Sequence, residues 1–212
     1  MDLYLLRHGE TDWNRAGLLQ GHTDIPLNEN GRKQMRETVR KLGDLGVKMD
    51  VILSSPLRRA RESAEIAAGR LGYPIEDIVL EPMLTERGFG AGEGMTMAER
   101  ELKFPNHDYP GMECQTDLIR RAGEAFAKIV DTCPDAENIL LVAHGAVLFA
   151  LLEAVSAERI VDEDTAAALT QGSIYRIRYT DGRTGFAKYD GDSAMFLETD
   201  AAMIARSVKI YM

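Results

Sequence analysis

The stretch LYLLRHGETDWN, Leu3–Asn14, decides the fold. Leu3, Tyr4, Leu5 and Leu6 form a short, unbroken apolar run. Such a run, bounded by polar residues, reads as a strand buried on both faces. It ends on Arg7-His8-Gly9, which puts two polar side chains and a glycine at the strand's carboxyl end. In open parallel sheets, that end is where ligands bind.

Two more runs repeat the pattern. VILSS (51–55) leads into SPLRRARES, and NILLVA (138–143) leads into His144-Gly145. Helical spacing follows each strand. Met35, Val39 and Leu42 recur behind a capping Asn28, and Leu57, Ala60, Ala64, Ala67 and Leu71 form a stripe ended by Gly72 and Pro74. Ser55 is expected to cap that second helix, with Pro56 in its first turn. Residues 78–84 are expected to be extended, 96–103 a short helix, and Thr116 the opening of a long helix. GAVLFALLEAV (145–155) is apolar on most sides and reads as a buried helix. A hairpin is expected around Asp181-Gly182 and a helix over 194–207. Strands alternating with helices predict an α/β fold with a mainly parallel central sheet covered on both faces. With no repeat, low-complexity tract or linker, residues 1–212 are expected to form a single domain.

Composition bounds the function. The chain has 212 residues, 45% hydrophobic and 28% charged, with a formal net charge of −9. The acidic balance argues against nucleic acid and anionic membrane as partners. Cys114 and Cys133 give neither a disulfide framework nor zinc-ligand spacing, so a cytoplasmic setting is expected. Asp2, Arg7 and His8 interrupt any apolar signal segment at the start. A homo-oligomer is compatible with the sequence, which leaves the oligomeric state open.

Two of the four histidines directly follow apolar strands, and each precedes a glycine. One such histidine alone would be an ordinary hydrogen-bonded strand end. Two in equivalent positions, with Arg7 beside one and Arg58/Arg59 after another strand, point to an anion held at one sheet edge. A neutral imidazole can attack phosphorus. Cationic neighbours would keep His8 neutral, Arg7 and Arg59 would neutralise the transferring oxygens, and His144 would donate to them. A leaving alkoxide needs a proton. Glu86, in LTERGFG, is the best-placed acid by topology; the competing reading is a surface acid paired with Arg87.

LLRHGETDWN, SSPLRRARES, LTERGFGAGEG and VAHGAV together resemble the histidine phosphatase family, in its phosphoglycerate mutase-like branch, in that family's order. The resemblance implies a three-layer α/β/α, phosphoglycerate mutase-like fold, no metal or other cofactor, and a small phosphorylated metabolite as partner. It implies that His8 carries a transient phosphate, that Arg7, Arg59 and His144 complete the phosphate pocket, and that Glu86 is the proton donor. It also aligns Asn14, Gln20 and Gly21 with phosphate-contacting positions. The phytase-like pattern R-H-G-x-R-x-P does not fit RHGETDW. Glycolytic mutases carry extra basic residues after the glutamate, whereas Arg87–Gln115 holds only Arg87, Arg100 and Lys103. A phosphomonoester hydrolase is therefore the expected activity; the alternatives are a mutase-type phosphoryl transferase and a non-catalytic phosphate-binding module. YPGMEC (109–114) departs from the P-G-G-E-S of small phosphatases in this branch.

Other motifs carry less. CQTDLIR (114–120) matches C-x5-R but has no glycine inside and runs into a helical stripe. DGDS (190–193) reads as a turn, and GAGEG (90–94) lacks the lysine of a nucleotide-binding loop. His22 and His107 are expected at the surface; the alternative for His22, which follows Gly21, is that it lines the pocket.

Overall fold

The structure, a computed structural model, describes residues 1–156, 174–190 and 195–199. Its strands are β1 (Asp2–Arg7), β2 (Val51–Ser54), β3 (Val79–Leu80), β4 (Asn138–Ala143), β5 (Ile174–Thr180), β6 (Arg183–Asp190) and β7 (Met195–Thr199). The helices are α1 (Asp12–Arg15), α2 (Glu29–Asp44), α3 (Arg58–Leu71), α4 (Met97–Lys103), α5 (Gln115–Thr132) and α6 (Gly145–Val155). One sheet runs β3-β2-β4-β1-β5-β6-β7. The first four of these are parallel, and β5, β6 and β7 join antiparallel.

Alternation along the central strands builds the three-layer α/β/α architecture. Leu3 and Leu5 of β1, with Ile139, Leu141 and Ala143 of β4, point into one core shared with α5 and α6. Tyr4 and Leu6, with Leu140 and Val142, point into the other, against α2 and α3. Both cores exclude water from these leucines, each worth about 1.5–3 kcal/mol of burial. This is why β1 and β4 read as continuous apolar runs.

Register positions the chemistry. Arg7 pairs with Ala143, and Ser54 pairs with Val142. The next residues continue that ladder: His8 N–H donates to Ala143 O at 3.0 Å, and Ser55 N–H to Val142 O at 3.0 Å. Thus His8, His144 and Ser55 leave the sheet side by side at the carboxyl ends of neighbouring parallel strands.

Several local expectations are corrected. Ser55 does not cap α3; Leu57 stands at the cap, and the Arg58 N–H is taken by Asp24 Oδ1 at 2.7 Å. Of residues 78–84, 78–81 are extended and include β3, but 82–84 are not, because Pro82 starts a 3-10 turn. Cys114, not Thr116, opens α5, its Sγ accepting from Asp117 N. Residues 195–199 form β7 rather than helix, since the open edge of β6 offers backbone partners that outweigh local propensity; the rest of 194–207 lies outside the described residues. DGDS begins at the end of β6 and otherwise also lies outside them. The α2 cap at Asn28, the left-handed Gly72 that ends α3, the α4 helix and the Asp181-Gly182 hairpin are as expected. The short α1, closed by a capping box between Thr11 and Asn14, had not been foreseen.

Candidate active site

The His8 and His144 rings lie 5.1 Å apart, centroid to centroid. That matches the roughly 4.8 Å spacing of neighbouring strands, as the register requires. Both are buried, with exposures of 3% and 0%. Burial pushes the His8 imidazole well below its ordinary value of 6.5, and Arg59 and Arg7 push the same way. For His144 the causes are burial, then Arg59, His8, Arg7 and Arg121. Both rings are therefore neutral near pH 7. His8 Nδ1 lies 2.7 Å from Gly9 O. A carbonyl only accepts, so the ring proton sits on Nδ1 and Nε2 keeps its lone pair. Glycine is required at position 9 by crowding: a Cβ there would lie 2.5 Å from Gly31 O.

Arg59 is fully buried on the first turn of α3. Its guanidinium donates to Thr23 O at 2.9 Å and Gly21 O at 2.8 Å, which wraps the 20–23 loop around it. Burial lowers its pKa to about 10, with Glu86 and Asp24 opposing, so it stays charged. Arg7 is half-buried; burial lowers its pKa and the Glu86 carboxylate opposes this. Among the described residues, three buried polar groups in this region have no partner: Arg59 Nε, His144 Nδ1 and both amide atoms of Gln20. Gln20, Gly21 and Arg59 are adjacent through the Gly21 carbonyl. Asn14 Oδ1 accepts from Thr11 N and Oγ1, both at 3.1 Å, so this atom belongs to the turn after Glu10.

Glu86 is buried, 7% exposed. It is not the surface partner of Arg87, whose Nε donates to Glu113 O and whose guanidinium lies over Phe89. Glu86 instead covers the start of α6. Oε1 accepts from Arg87 N at 2.9 Å and Val147 N at 3.1 Å, while Oε2 accepts from Ala146 N at 3.3 Å. A helix's first N–H groups have no partner within the helix, and Glu86 supplies one. Oε2 has a single, longer contact than Oε1.

Four further residues hold this arrangement: Arg121 and Glu93 carry no signal in the sequence, His22 is marked only by following Gly21, and Ser55 reads there as a helix cap. Arg121 clamps the Glu86 segment: its guanidinium reaches Met83 O at 2.7 Å, Thr85 O at 2.8 Å and Glu86 O at 3.5 Å, and pairs with Glu113. Glu93 gathers His22 N, Thr23 N, Thr23 Oγ1 and Phe89 N, and so ties the 20–23 loop to the 88–94 turn. Burial acts to raise the Glu93 carboxyl, but the hydrogen bonds from Thr23, His22 and Phe89 win and hold it below its ordinary value. His22 is exposed, and its Nε2 lies 2.9 Å from Glu86 O. Ser55 meets His144 Nε2 at 2.7 Å. By contrast Cys114 and Arg120 make no anion loop: Cys114 caps α5, and exposed Arg120 pairs with Glu124 and Asp117. Among the described residues no cluster of three or more His, Cys, Asp or Glu suits a metal ion, and no helix is long and apolar enough to cross a membrane.

Two imidazoles at the carboxyl ends of neighbouring parallel strands, with Arg7 ending one strand and Arg59 on the helix after another, sit in an α/β protein of defined class. Residues 3–190 match the histidine phosphatase superfamily (branch 1), and the chain belongs to that family. It is 42% identical over 152 residues to the uncharacterized phosphatase PhoE of Bacillus subtilis, covering 72% of this chain and 76% of that protein. It is 34% identical over 166 residues to the probable phosphoglycerate mutase GpmB of Escherichia fergusonii, covering 73% and 74%. A mycobacterial glucosyl-3-phosphoglycerate phosphatase, solved in complex with VO3, superposes with a TM-score of 0.73 at 27% identity, covering 84% of this chain and 92% of that one.

Proposed function

We propose that this chain is a metal-independent phosphomonoester hydrolase that acts on a small phosphorylated metabolite through a phosphohistidine on His8. The observation that carries the reading is the buried His8–His144 ring pair, 5.1 Å apart, with the charges of Arg59 and Arg7 acting on both rings. The substrate phosphate sits among Arg7, Arg59, His144 and the Gln20–Gly21 turn; among the described residues the buried Arg59 Nε, His144 Nδ1 and Gln20 amide have no hydrogen-bond partner, which supports this placement. The His8 Nε2 lone pair attacks phosphorus in line; the N–P bond forms as the P–O bond to the leaving group breaks. Arg7 and Arg59 balance the charge on the equatorial oxygens. Glu86 Oε2 gives its proton to the leaving oxygen. The ionised carboxylate then takes a proton from water, which attacks the phosphohistidine and frees His8 and inorganic phosphate.

Hydrolase is favoured over mutase by the fate of the three basic residues after Glu86. Arg87 is engaged with Glu113 O and Phe89, Arg100 with Tyr109, and Lys103 lies over the Phe104 ring. A binding module would not need Glu86 beside the two arginines. The relatives named as phosphatases are consistent with a small phosphate ester as substrate.

The test is release of p-nitrophenol from p-nitrophenyl phosphate with and without EDTA. Turnover should be unchanged by EDTA, and His8→Ala should abolish both turnover and an acid-labile phosphoprotein. Glu86→Gln should slow alkyl phosphates far more than the nitrophenyl ester, whose leaving group hardly needs the proton. No turnover on a broad phosphoester panel would overturn the reading in favour of a binding module.

A further inference from the structure

His144 and Ser55 are both fully buried, and His144 Nε2 lies 2.7 Å from Ser55 Oγ. A neutral imidazole has one N–H, and a hydroxyl has one O–H and two lone pairs. Ser55 Oγ also accepts from Leu57 N at 3.3 Å, which uses one lone pair. Among the described residues the hydroxyl proton then has a single acceptor within reach, His144 Nε2. In the reverse arrangement, with Nε2–H donating to Oγ, the serine proton would be buried with no acceptor and Nδ1 would carry a bare lone pair. That leaves two orphaned groups where the first arrangement leaves one, the Nδ1–H, which has no protein partner. Buried polar groups left unmade are costly, so the accounting selects the first arrangement.

We propose that Ser55 is a positioning residue for the second histidine: its hydroxyl donates to Nε2 and fixes His144 as the tautomer with its proton on Nδ1. Because Nε2 is committed to Ser55, Nδ1 is the only ring nitrogen His144 can present to a phosphoryl oxygen. With the other tautomer it would present a lone pair to an anion and repel it. The chain order explains how the serine comes to act there: Ser55 follows β2 as His144 follows β4, and these strands pair in parallel register. The tautomer itself is independent of the hydrolase reading; only its use on a phosphoryl oxygen rests on that reading.

The direct test is nitrogen-15 NMR of the full-length, histidine-labelled protein near pH 7, with His144 assigned by loss of its signals in His144→Gln. A protonated Nδ1 and an unprotonated Nε2 are expected; a protonated Nε2 in the unaltered protein overturns the proposal. The kinetic arm uses p-nitrophenyl phosphate. Ser55→Ala should lower kcat by roughly 10- to 100-fold, less than the roughly 100- to 1,000-fold for loss of a transition-state donor itself. In the His144→Gln background the same change should have less than about a 2-fold further effect, because residues acting as one unit are non-additive. An equal loss in both backgrounds would mean that Ser55 acts elsewhere. If Ser55→Ala does not fold, the NMR result on the unaltered protein decides. If the protein hydrolyses no phosphoester at all, the function fails while the tautomer is still read.

Discussion

Two neutral histidines enclosed with two arginines should make the protein lose stability as soon as histidines can charge in the unfolded chain. The perturbation is a fall from about pH 7.5 to about pH 5.5, above the ordinary range of carboxylates. In the folded state, burial and the nearby guanidiniums hold the pKa values of His8 and His144 well below 6.5. In the unfolded state they return to about 6.5. Between those values the unfolded chain binds more protons, so unfolding becomes easier as pH falls. The stabilisation is fully present above the unfolded pKa and is lost progressively below it. For a folded state that takes up no proton in this interval, the loss is about 1.4 kcal/mol per histidine, or about 2.7 kcal/mol for the pair. The assay is urea unfolding of the protein and of a His8→Asn/His144→Asn variant at both pH values. The variant shifts stability by its own fixed amount; the pH-dependent difference isolates the pair. The unaltered protein should lose about 2.7 kcal/mol more than the variant. Equal losses, within about 0.5 kcal/mol, would refute the claim that both rings are held neutral by their surroundings.

Two further outcomes concern the ties between distant segments. Arg121→Met removes the donors to Met83 O and Thr85 O and leaves Glu113 without its partner. Because both side chains keep about a fifth of their exposure, a loss of about 2–3 kcal/mol by urea unfolding is expected, below the figure for a fully buried pair. The surviving enzyme should show the leaving-group dependence of Glu86→Gln; an unchanged dependence would make Arg121 a fold residue only. Gly21→Ala would place a Cβ 2.1 Å from Glu93 Oε1 and 2.8 Å from Arg87 O. It should break the Glu93 tie and raise KM for p-nitrophenyl phosphate by at least about 10-fold, since small misplacements at a site are costly; an unchanged KM would show that the 20–23 loop does not grip the phosphate.

What could be read from the sequence was what periodicity and strand ends reveal. The apolar runs at Leu3–Leu6 and 138–143 gave the central strands, and two His-Gly pairs at their ends marked one sheet edge before any pairing was known. Register could not be read, yet it is what sets His8 beside His144. Ties between distant segments were equally hidden: Asp24 to Arg58, Glu93 to Thr23 and Arg121 to Thr85 link residues 34, 70 and 36 apart. A carboxylate in a loop looks alike whether it ends in solvent or against a helix start. Ser55 misled for a related reason. Its type and position suit a cap, but its hydroxyl is taken by an imidazole 89 residues away. At 195–199 propensity lost to the open edge of β6, a partner no local window contains.

The hairpin between β5 and β6 has a practical use. β5 runs against β1, with Ile174 beside Leu6 and Arg178 beside Asp2. The Asp181-Gly182 bend, exposed and with both residues at positive φ, therefore lies beyond the opposite end of β1 from His8, roughly 30 Å away at the usual strand rise. A molecule tethered to a sensor chip through that bend would hold its reactive mouth toward the flowing solution, and a dye or affinity handle fixed there would leave the chemistry alone.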